Sequence, residues 1–193
     1  QVTEMDNPIG TMYGNSHEIV ESIDCLKGIG PIDTMELVLA QADSLGYDIR
    51  SHLSDGSALH EFKQMCVRQG VKSDVIESLI EKPWSVLPKA DFSVEIVAQS
   101  SGWISQIDAL TIGQVLCNLG AGRTGVAASI DHGIGAELIK GVGDEIEVGM
   151  PWIRFDLNSE MDASTTEIIQ NSIKISNAKV EKSGRILQII TSP

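Results

Sequence analysis

Residues 119–125 read LGAGRTG, and the glycines in this stretch have the spacing G-x-G-x-x-G. In dinucleotide-binding folds, a loop with this spacing follows a β-strand, cradles a pyrophosphate and leads into a helix. Here the preceding residues, ALTIGQVLCNL, repeat apolar side chains at roughly helical spacing, and the following residues, VAASIDHGIG, are too broken for a phosphate-bearing helix. We therefore predict that the loop is structural, and that Gly120 ends the preceding helix with a positive φ angle.

The sequence before this helix predicts four more helices, at about residues 15–27, 33–45, 57–69 and 73–82. Asn15 followed by Glu18 resembles a capping box at the start of the first helix. The second helix is apolar nearly all round, which predicts that it is deeply buried. Glycine or proline ends each of the four.

The periodicity of the apolar residues changes from helical to strand-like after a short linker that contains Trp84 and Pro88. The alternating FSVEIVA and the short GWISQI are typical of β-strands, and Gly-rich hairpin-like stretches, a helix at 164–175 and a last strand, RILQII, follow. We predict a mostly helical first part and an α+β second part, divided near residue 88. The hairpins resemble hammerhead-like biotinyl and lipoyl carrier domains, although neither Met-Lys-Met nor Asp-Lys-Ala occurs in the chain.

Charge and cysteine content exclude several classes of function. The formal net charge of −13 and the scattered 14 basic residues argue against a nucleic-acid partner. No uncharged apolar run reaches membrane-spanning length. The three cysteines are widely spaced without a C-x-x-C pair, which favours a reducing, cytoplasmic compartment over a disulfide framework.

No pattern of catalytic side chains stands out. Asp131 and His132 are neighbours, and adjacent side chains on an extended segment point in opposite directions. His17 falls early in a helix beside Glu18, where we expect a solvated or capping role. No H-x-x-E-H or paired-carboxylate pattern occurs.

With those residues laid out, the chain resembles the C-terminal part of the pyrimidine nucleoside phosphorylases, and among them the thymidine phosphorylases. The segment TEMDNPIGTMYGNSHEIVESIDCLKGIGP at 3–31 resembles the family's T-x-M-x-x-P-L-G, G-N-A-L-E-V and L-x-G-x-G-P runs. DGSALHEFKQMCVRQG at 55–70, VLPKA at 86–90, SSGWISQID at 100–108 and the stretch from LGAGRTG to GMPWI continue the match in order. The segments GAELI and GMPWIRF resemble the animal enzymes more than the bacterial ones.

The resemblance implies a two-domain α and α/β enzyme, usually homodimeric, in which residues 1–83 finish the α/β domain and residues 88–193 form a mixed C-terminal domain. Such an enzyme cleaves thymidine with inorganic phosphate, giving thymine and 2-deoxyribose 1-phosphate. The resemblance places the phosphate loop and the base-binding side chains in an N-terminal half, so it implies no catalytic and no substrate-binding residue in this chain. We expect the chain to belong to a longer polypeptide, to be inactive alone, and to contribute residues 1–50 to a parallel sheet. The alternative is a free-standing hammerhead-type binding module without a modifiable lysine.

The resemblance also implies one ligand site. Several bacterial relatives hold a monovalent or calcium-like cation, and matching the motif places its ligands at the carbonyls of Ile9 and Met12 and the carboxylate of Glu21. Oxygen ligands of this kind suit hard cations; the alternative is that Glu21 is a solvated helix residue. Two positions depart from the family pattern: His17 stands where Leu is usual, and Phe155 stands near a common His.

Overall fold

The computed structural model describes residues 1–123, 125 and 129–190. The helices of this part are α1 (Asn15–Leu26), α2 (Ile32–Ser44), α3 (Arg50–Ser54), α4 (Ser57–Arg68), α5 (Ser73–Glu81), α6 (Ala109–Leu116) and α7 (Ala163–Gln170). Its strands are β1 (Val2–Thr3), β2 (Met12–Tyr13), β3 (Phe92–Val97), β4 (Gly102–Ile107), β5 (Gly135–Leu138), β6 (Glu145–Ile146), β7 (Pro151–Leu157), β8 (Ile173–Ser176) and β9 (Ile186–Gln188). The predicted mixture of helices and β-structure is confirmed.

Helix α1 begins one residue earlier than a capping box at Asn15 requires. Its N-cap is Gly14, which has a φ of 107°. Glu18 accepts a hydrogen bond from the Gly14 amide at 3.1 Å, whereas the Asn15 side chain donates to the carbonyl of Ala121 at 3.0 Å. The capping-box prediction is therefore wrong for Asn15, because a distant loop takes its side chain.

The prediction that α2 is deeply buried is wrong. Leu37 is its one buried residue, while Ile32 is 88% exposed and Val38 is 43% exposed. Leu45, directly after the helix, is 75% exposed. Among the described residues, the apolar face of α2 thus has an incomplete set of packing partners.

The largest sheet contains four antiparallel strands in the order β2-β5-β7-β3. Strand β2 of the first part pairs with β5, with Met12 opposite Glu137, and β1 pairs antiparallel with β9. The expectation of a parallel sheet for residues 1–50 is wrong for the strand pairs that the structure describes. The division between residues 83 and 88 stays a prediction, although β2 joins strands from its other side.

Strand β7 lies at the centre of the core because the sheet places β5 and β3 on either side of it. The side chains of Trp152, Ile153, Phe155 and Leu157 are each 0% exposed. From Ile153 to Leu157 the strand alternates buried apolar residues with the half-buried Arg154 and Asp156, as expected when one face of an antiparallel strand packs into the core. Phe155, one of the departures from the family pattern, is thus a core residue.

A second sheet has three strands in the order β6-β4-β8. The helix predicted at 164–175 is too long. Helix α7 ends at Gln170, and residues 173–176 form strand β8, which pairs with β4. In the part of the chain that the structure describes, no helix is long and apolar enough to cross a membrane.

Candidate functional site

Glu21, the predicted cation ligand on helix α1, directs its carboxylate toward the main chain of residues 11 and 12. Its Oε2 accepts hydrogen bonds from the Thr11 amide at 2.6 Å, the Thr11 hydroxyl at 3.0 Å and the Met12 amide at 3.0 Å. The structure therefore brings the carboxylate of Glu21 to the segment that contains Ile9 and Met12. Glu21 is therefore more than a solvated helix residue, because its carboxylate accepts three hydrogen bonds from Thr11 and Met12.

Gly10 makes this close approach possible. Its φ is +72°, in the left-handed region, and a Cβ built on it would lie 2.1 Å from Oε1 of Glu21. Any residue with a side chain would thus be strained and would displace the carboxylate. Oε1 therefore rests directly over the main chain between Ile9 and Met12.

Asp33 and Arg185 hold the same segment from the other side. Oδ2 of Asp33 accepts hydrogen bonds from the Gly10 amide at 3.2 Å and from Nη2 of Arg185 at 2.8 Å. Arg185 also donates to the carbonyl of Asn7 at 3.2 Å and to that of Pro8. Arg185 is not among the residues predicted from sequence, because nothing near it in sequence indicates that it contacts residues almost the whole chain away.

The side chain of Tyr13 also contacts this segment. Its hydroxyl donates to the Gly10 carbonyl at 2.7 Å. Burial raises the pKa of Tyr13, and the nearby negative charges of Glu21 and Asp33 raise it further, against the smaller effect of Arg185. The phenol therefore remains a hydrogen-bond donor to well above neutral pH.

The charges of this site suit a cation. Arg185 pairs with Glu4 and Asp33, whereas no lysine or arginine nitrogen of the described residues lies within 4.0 Å of the Glu21 carboxylate. In the same part of the chain, no group of three or more His, Cys, Asp or Glu side chains could hold a metal ion. The cation site with ligands from Ile9, Met12 and Glu21, which combines main-chain oxygens with one carboxylate, stays a prediction.

The glycine-rich loop has the structural character that was predicted from sequence. The main chain leaves α6 through a wide turn at Cys117–Ala121, and Gly120 has a φ of 115°. Its carbonyl accepts a hydrogen bond from the Asp131 amide at 2.9 Å, which fixes the start of the next segment. Because a helix rather than a strand precedes the glycines, the dinucleotide-binding arrangement is not formed; Thr124 of the LGAGRTG stretch lies outside the described residues.

Comparison with known proteins shows similarity to one family. Residues 103–176 match the model of the pyrimidine nucleoside phosphorylase C-terminal domain. Over 94% of its length, the chain is 35% identical to a pyrimidine-nucleoside phosphorylase of Bacillus subtilis, of which it covers 44%. It is 34% identical over 81% of its length to the thymidine phosphorylase of Rattus norvegicus, covering 37%, and 31% identical over 93% to the Geobacillus stearothermophilus pyrimidine-nucleoside phosphorylase, covering 43%.

The chain is similar to the pyrimidine nucleoside phosphorylases over most of its length. It spans less than half the length of these relatives, between 37% and 44%. Bacterial and mammalian relatives match at similar identities, so the comparisons do not separate an animal-type phosphorylase from a bacterial one.

His17, a departure from the family pattern, is the centre of a second polar cluster. The expectation of a solvated or capping role is wrong, because His17 is 1% exposed. Its Nε2 lies 2.8 Å from Oδ2 of Asp156, and its ring meets the Trp84 ring edge-to-face at a centroid distance of 4.9 Å. Asp156 also accepts a hydrogen bond from the Ser93 hydroxyl at 2.5 Å.

This cluster does not form a nucleophilic triad, because the aspartate stands between the serine and the histidine instead of the histidine standing between them. Burial raises the pKa of Asp156, but the hydrogen bonds from His17 and Ser93 and the charges of Arg154 and His17 outweigh it, so the pKa is lowered overall. The cluster ties α1, the linker and two strands of the largest sheet together. It thus has the character of a structural joint between these elements.

Proposed function

We propose that this chain is the C-terminal portion of a thymidine phosphorylase. In the assembled enzyme, an oxygen of inorganic phosphate forms a bond to C1′ of the deoxyribose. The bond from C1′ to the pyrimidine nitrogen breaks with its electron pair passing to the base, which takes up a proton. Thymine and 2-deoxyribose 1-phosphate are the products, and the reaction is reversible.

The observation that carries the proposal is the incomplete apolar surface of the first part, taken with the fraction of the relatives that the chain spans. Besides Ile32, Val38 and Leu45 of the first part, Leu187 of strand β9 is 60% exposed and Ile190, which follows that strand, is 70% exposed. Soluble monomers rarely expose contiguous apolar patches of large size, because such patches drive association.

A groove of about 430 Å³ continues this surface between helices α1 to α4. Its apolar lining includes Leu26, Met35, Val38 and Leu53. We infer that the N-terminal portion found in the relatives covers this groove and α2. That portion supplies the groups that grip phosphate and base, and positioning of two reactants is worth about 7–11 kcal/mol of the barrier in well-oriented systems.

The contribution of this chain is to shape one wall of the site and to hold the cation. The carbonyls of Ile9 and Met12 and the carboxylate of Glu21 bind a monovalent cation or calcium in the proposal. A cation at this position would stabilise the binding of the anionic phosphate by electrostatic attraction. Homodimerisation and a cytoplasmic location are part of the same proposal, and the three free thiols are in keeping with a reducing compartment.

A hammerhead-type module that stands alone has less support. Strand β2, from the helical part, completes the edge of the four-stranded sheet, and α1 contributes the buried His17 to it. The alternative of a hammerhead-type domain with a helical extension does not require these contacts, because an extension need not complete the sheet of the domain.

The test is thymine release from thymidine and phosphate. The chain is purified alone and together with the portion of the Bacillus subtilis relative that lies outside the match. We expect turnover only with both parts, and a loss of complex formation when Ile32→Asp is introduced on α2. The exposed Ile139→Asp, 39% exposed and outside this surface, is the matched control. Turnover by the chain alone, at a rate comparable to the combined parts, would overturn the assignment of catalysis to the N-terminal portion.

A further inference from the structure

Arg185 lies directly before strand β9, and its side chain is only 11% exposed. Its main chain is fixed at both ends: its amide donates to Oε2 of Glu36 at 3.0 Å, and its carbonyl accepts from the Glu4 amide at 2.8 Å. Gly184 precedes it where a Cβ would lie 2.9 Å from Oε1 of Glu36. The guanidinium therefore enters the protein from a fixed point.

All three guanidinium nitrogens of Arg185 donate hydrogen bonds. Nε and Nη2 both donate to Oδ2 of Asp33, at 3.2 Å and 2.8 Å. Nη1 donates to Glu4 and to the carbonyl of Asn7, and Nη2 donates to the carbonyl of Pro8. Two consecutive peptide carbonyls and two carboxylates thus share one cation.

The same group reaches Gly10 indirectly. The oxygen of Asp33 that Arg185 contacts also accepts the Gly10 amide, at 3.2 Å. On the far side, Glu21 takes the amides of Thr11 and Met12. Ile9 lies between the residues held by Arg185 with Asp33 and those held by Glu21.

We propose that Arg185 is the positioning residue for the segment from Asn7 to Met12. The C-terminal strand thereby sets the direction of the main-chain oxygens of this segment, including those of Ile9 and Met12. The consequence for cation binding rests on the proposed function, whereas the positioning of the segment does not.

Lysine cannot replace this arginine. Its ammonium has three donors at one nitrogen, while arginine presents five N–H donors in a planar fork. Two carbonyls and two carboxylates around one guanidinium match the fork and exceed what a single ammonium reaches. Arg185→Lys should therefore keep the charge and lose most of the positioning.

The first experiment is hydrogen exchange on the full chain, read at the amides of Gly10, Thr11 and Met12. Each lost hydrogen bond to a charged group corresponds to at least about a tenfold change in an equilibrium. We expect protection at these amides to fall by about tenfold or more in Arg185→Gln and by somewhat less in Arg185→Lys. The control is Lys182→Gln, which removes an exposed lysine paired with Asp144 in the same C-terminal stretch.

Protection at amides of β7 reports whether the variant remains folded, and Arg185→Lys serves if Arg185→Gln does not. Unchanged protection at Gly10, Thr11 and Met12 in the arginine variants, with β7 still protected, would overturn the proposal. A loss that appears equally in Lys182→Gln would overturn it as well, because it would report general fraying of the C-terminal stretch.

The second experiment separates positioning from cation binding. Thermal unfolding is followed while potassium or calcium chloride is titrated at constant ionic strength. We expect a saturable rise in Tm for the wild type, its loss in Glu21→Gln, and a midpoint about tenfold higher in Arg185→Lys. A wild type without this rise, together with lost amide protection in the variants, refutes the cation site and leaves the positioning role standing.

Discussion

Asp156→Asn tests the buried joint between α1 and the largest sheet. The substitution keeps the shape of the side chain and removes its charge, so that the bonds from His17 and Ser93 are no longer charge-assisted. A hydrogen bond to a charged group contributes about 1.5–3 kcal/mol, against about 0.5–1.5 kcal/mol for a neutral pair. Two such bonds, at 2.8 Å and 2.5 Å, give an expected loss of about 2–3 kcal/mol in the free energy of unfolding.

This loss is smaller than the 3–5 kcal/mol typical of breaking a fully buried pair. The reason is that the side chain of Asp156 is 19% exposed, although that of His17 is 1% exposed. For a chain of this length the loss corresponds to a fall in Tm of about 4–12 °C. Asp24→Asn is the control, since Asp24 pairs with Lys27 at 3.8 Å on the surface and its loss should stay within about 0.5 kcal/mol.

The effect should also depend on pH in a definite direction. The folded-state pKa of Asp156 is lowered, so its charge contributes stability above the unfolded-state value of about 3.9. That contribution is lost as pH falls through the folded-state pKa. Urea unfolding at a series of pH values should show the difference between wild type and Asp156→Asn shrinking below about pH 4. A variant as stable as Asp24→Asn, or a difference that persists unchanged into strong acid, would refute the reasoning.

Further predictions concern glycines and a tyrosine. Gly135→Ala should lower the free energy of unfolding by about 2–3 kcal/mol, because the new Cβ would lie 2.1 Å from Nδ1 of His17 and 2.6 Å from the Tyr13 carbonyl. Gly113→Ala, in α6 with nothing within 4 Å of its Cβ, should instead raise it by about 0.5–1 kcal/mol, and equal effects of the two in urea unfolding would contradict the packing described here. In an alkaline absorbance titration, one of the two tyrosines should ionise well above the usual value of about 10, and Tyr13→Phe should remove that late phase. A late phase that survives in Tyr13→Phe would show that the Tyr13 hydroxyl is not the buried donor to Gly10.

Local sequence determined much of this protein. The alternation in FSVEIVA predicts β3, and the glycine at 120 predicts the end of the helix before it, with the positive φ that is observed. These features follow from the backbone preferences of a few adjacent residues, so the local sequence is enough to predict them. The family resemblance likewise lies in runs of sequence, and from these runs alone it predicts that Glu21 lies beside the segment from Ile9 to Met12.

The tertiary structure decided the rest. His17 is polar and sits early in a helix, so its neighbours indicate solvent, yet Asp156 lies 139 residues away and gives it a buried partner. Arg185 reaches Pro8 across 177 residues, and no local pattern signals that contact. The apolar α2 predicts a covering surface that the described residues do not fully supply. In each case the free energy of a side chain depends on which distant groups surround it, and that is set by chain topology rather than by the residues on either side.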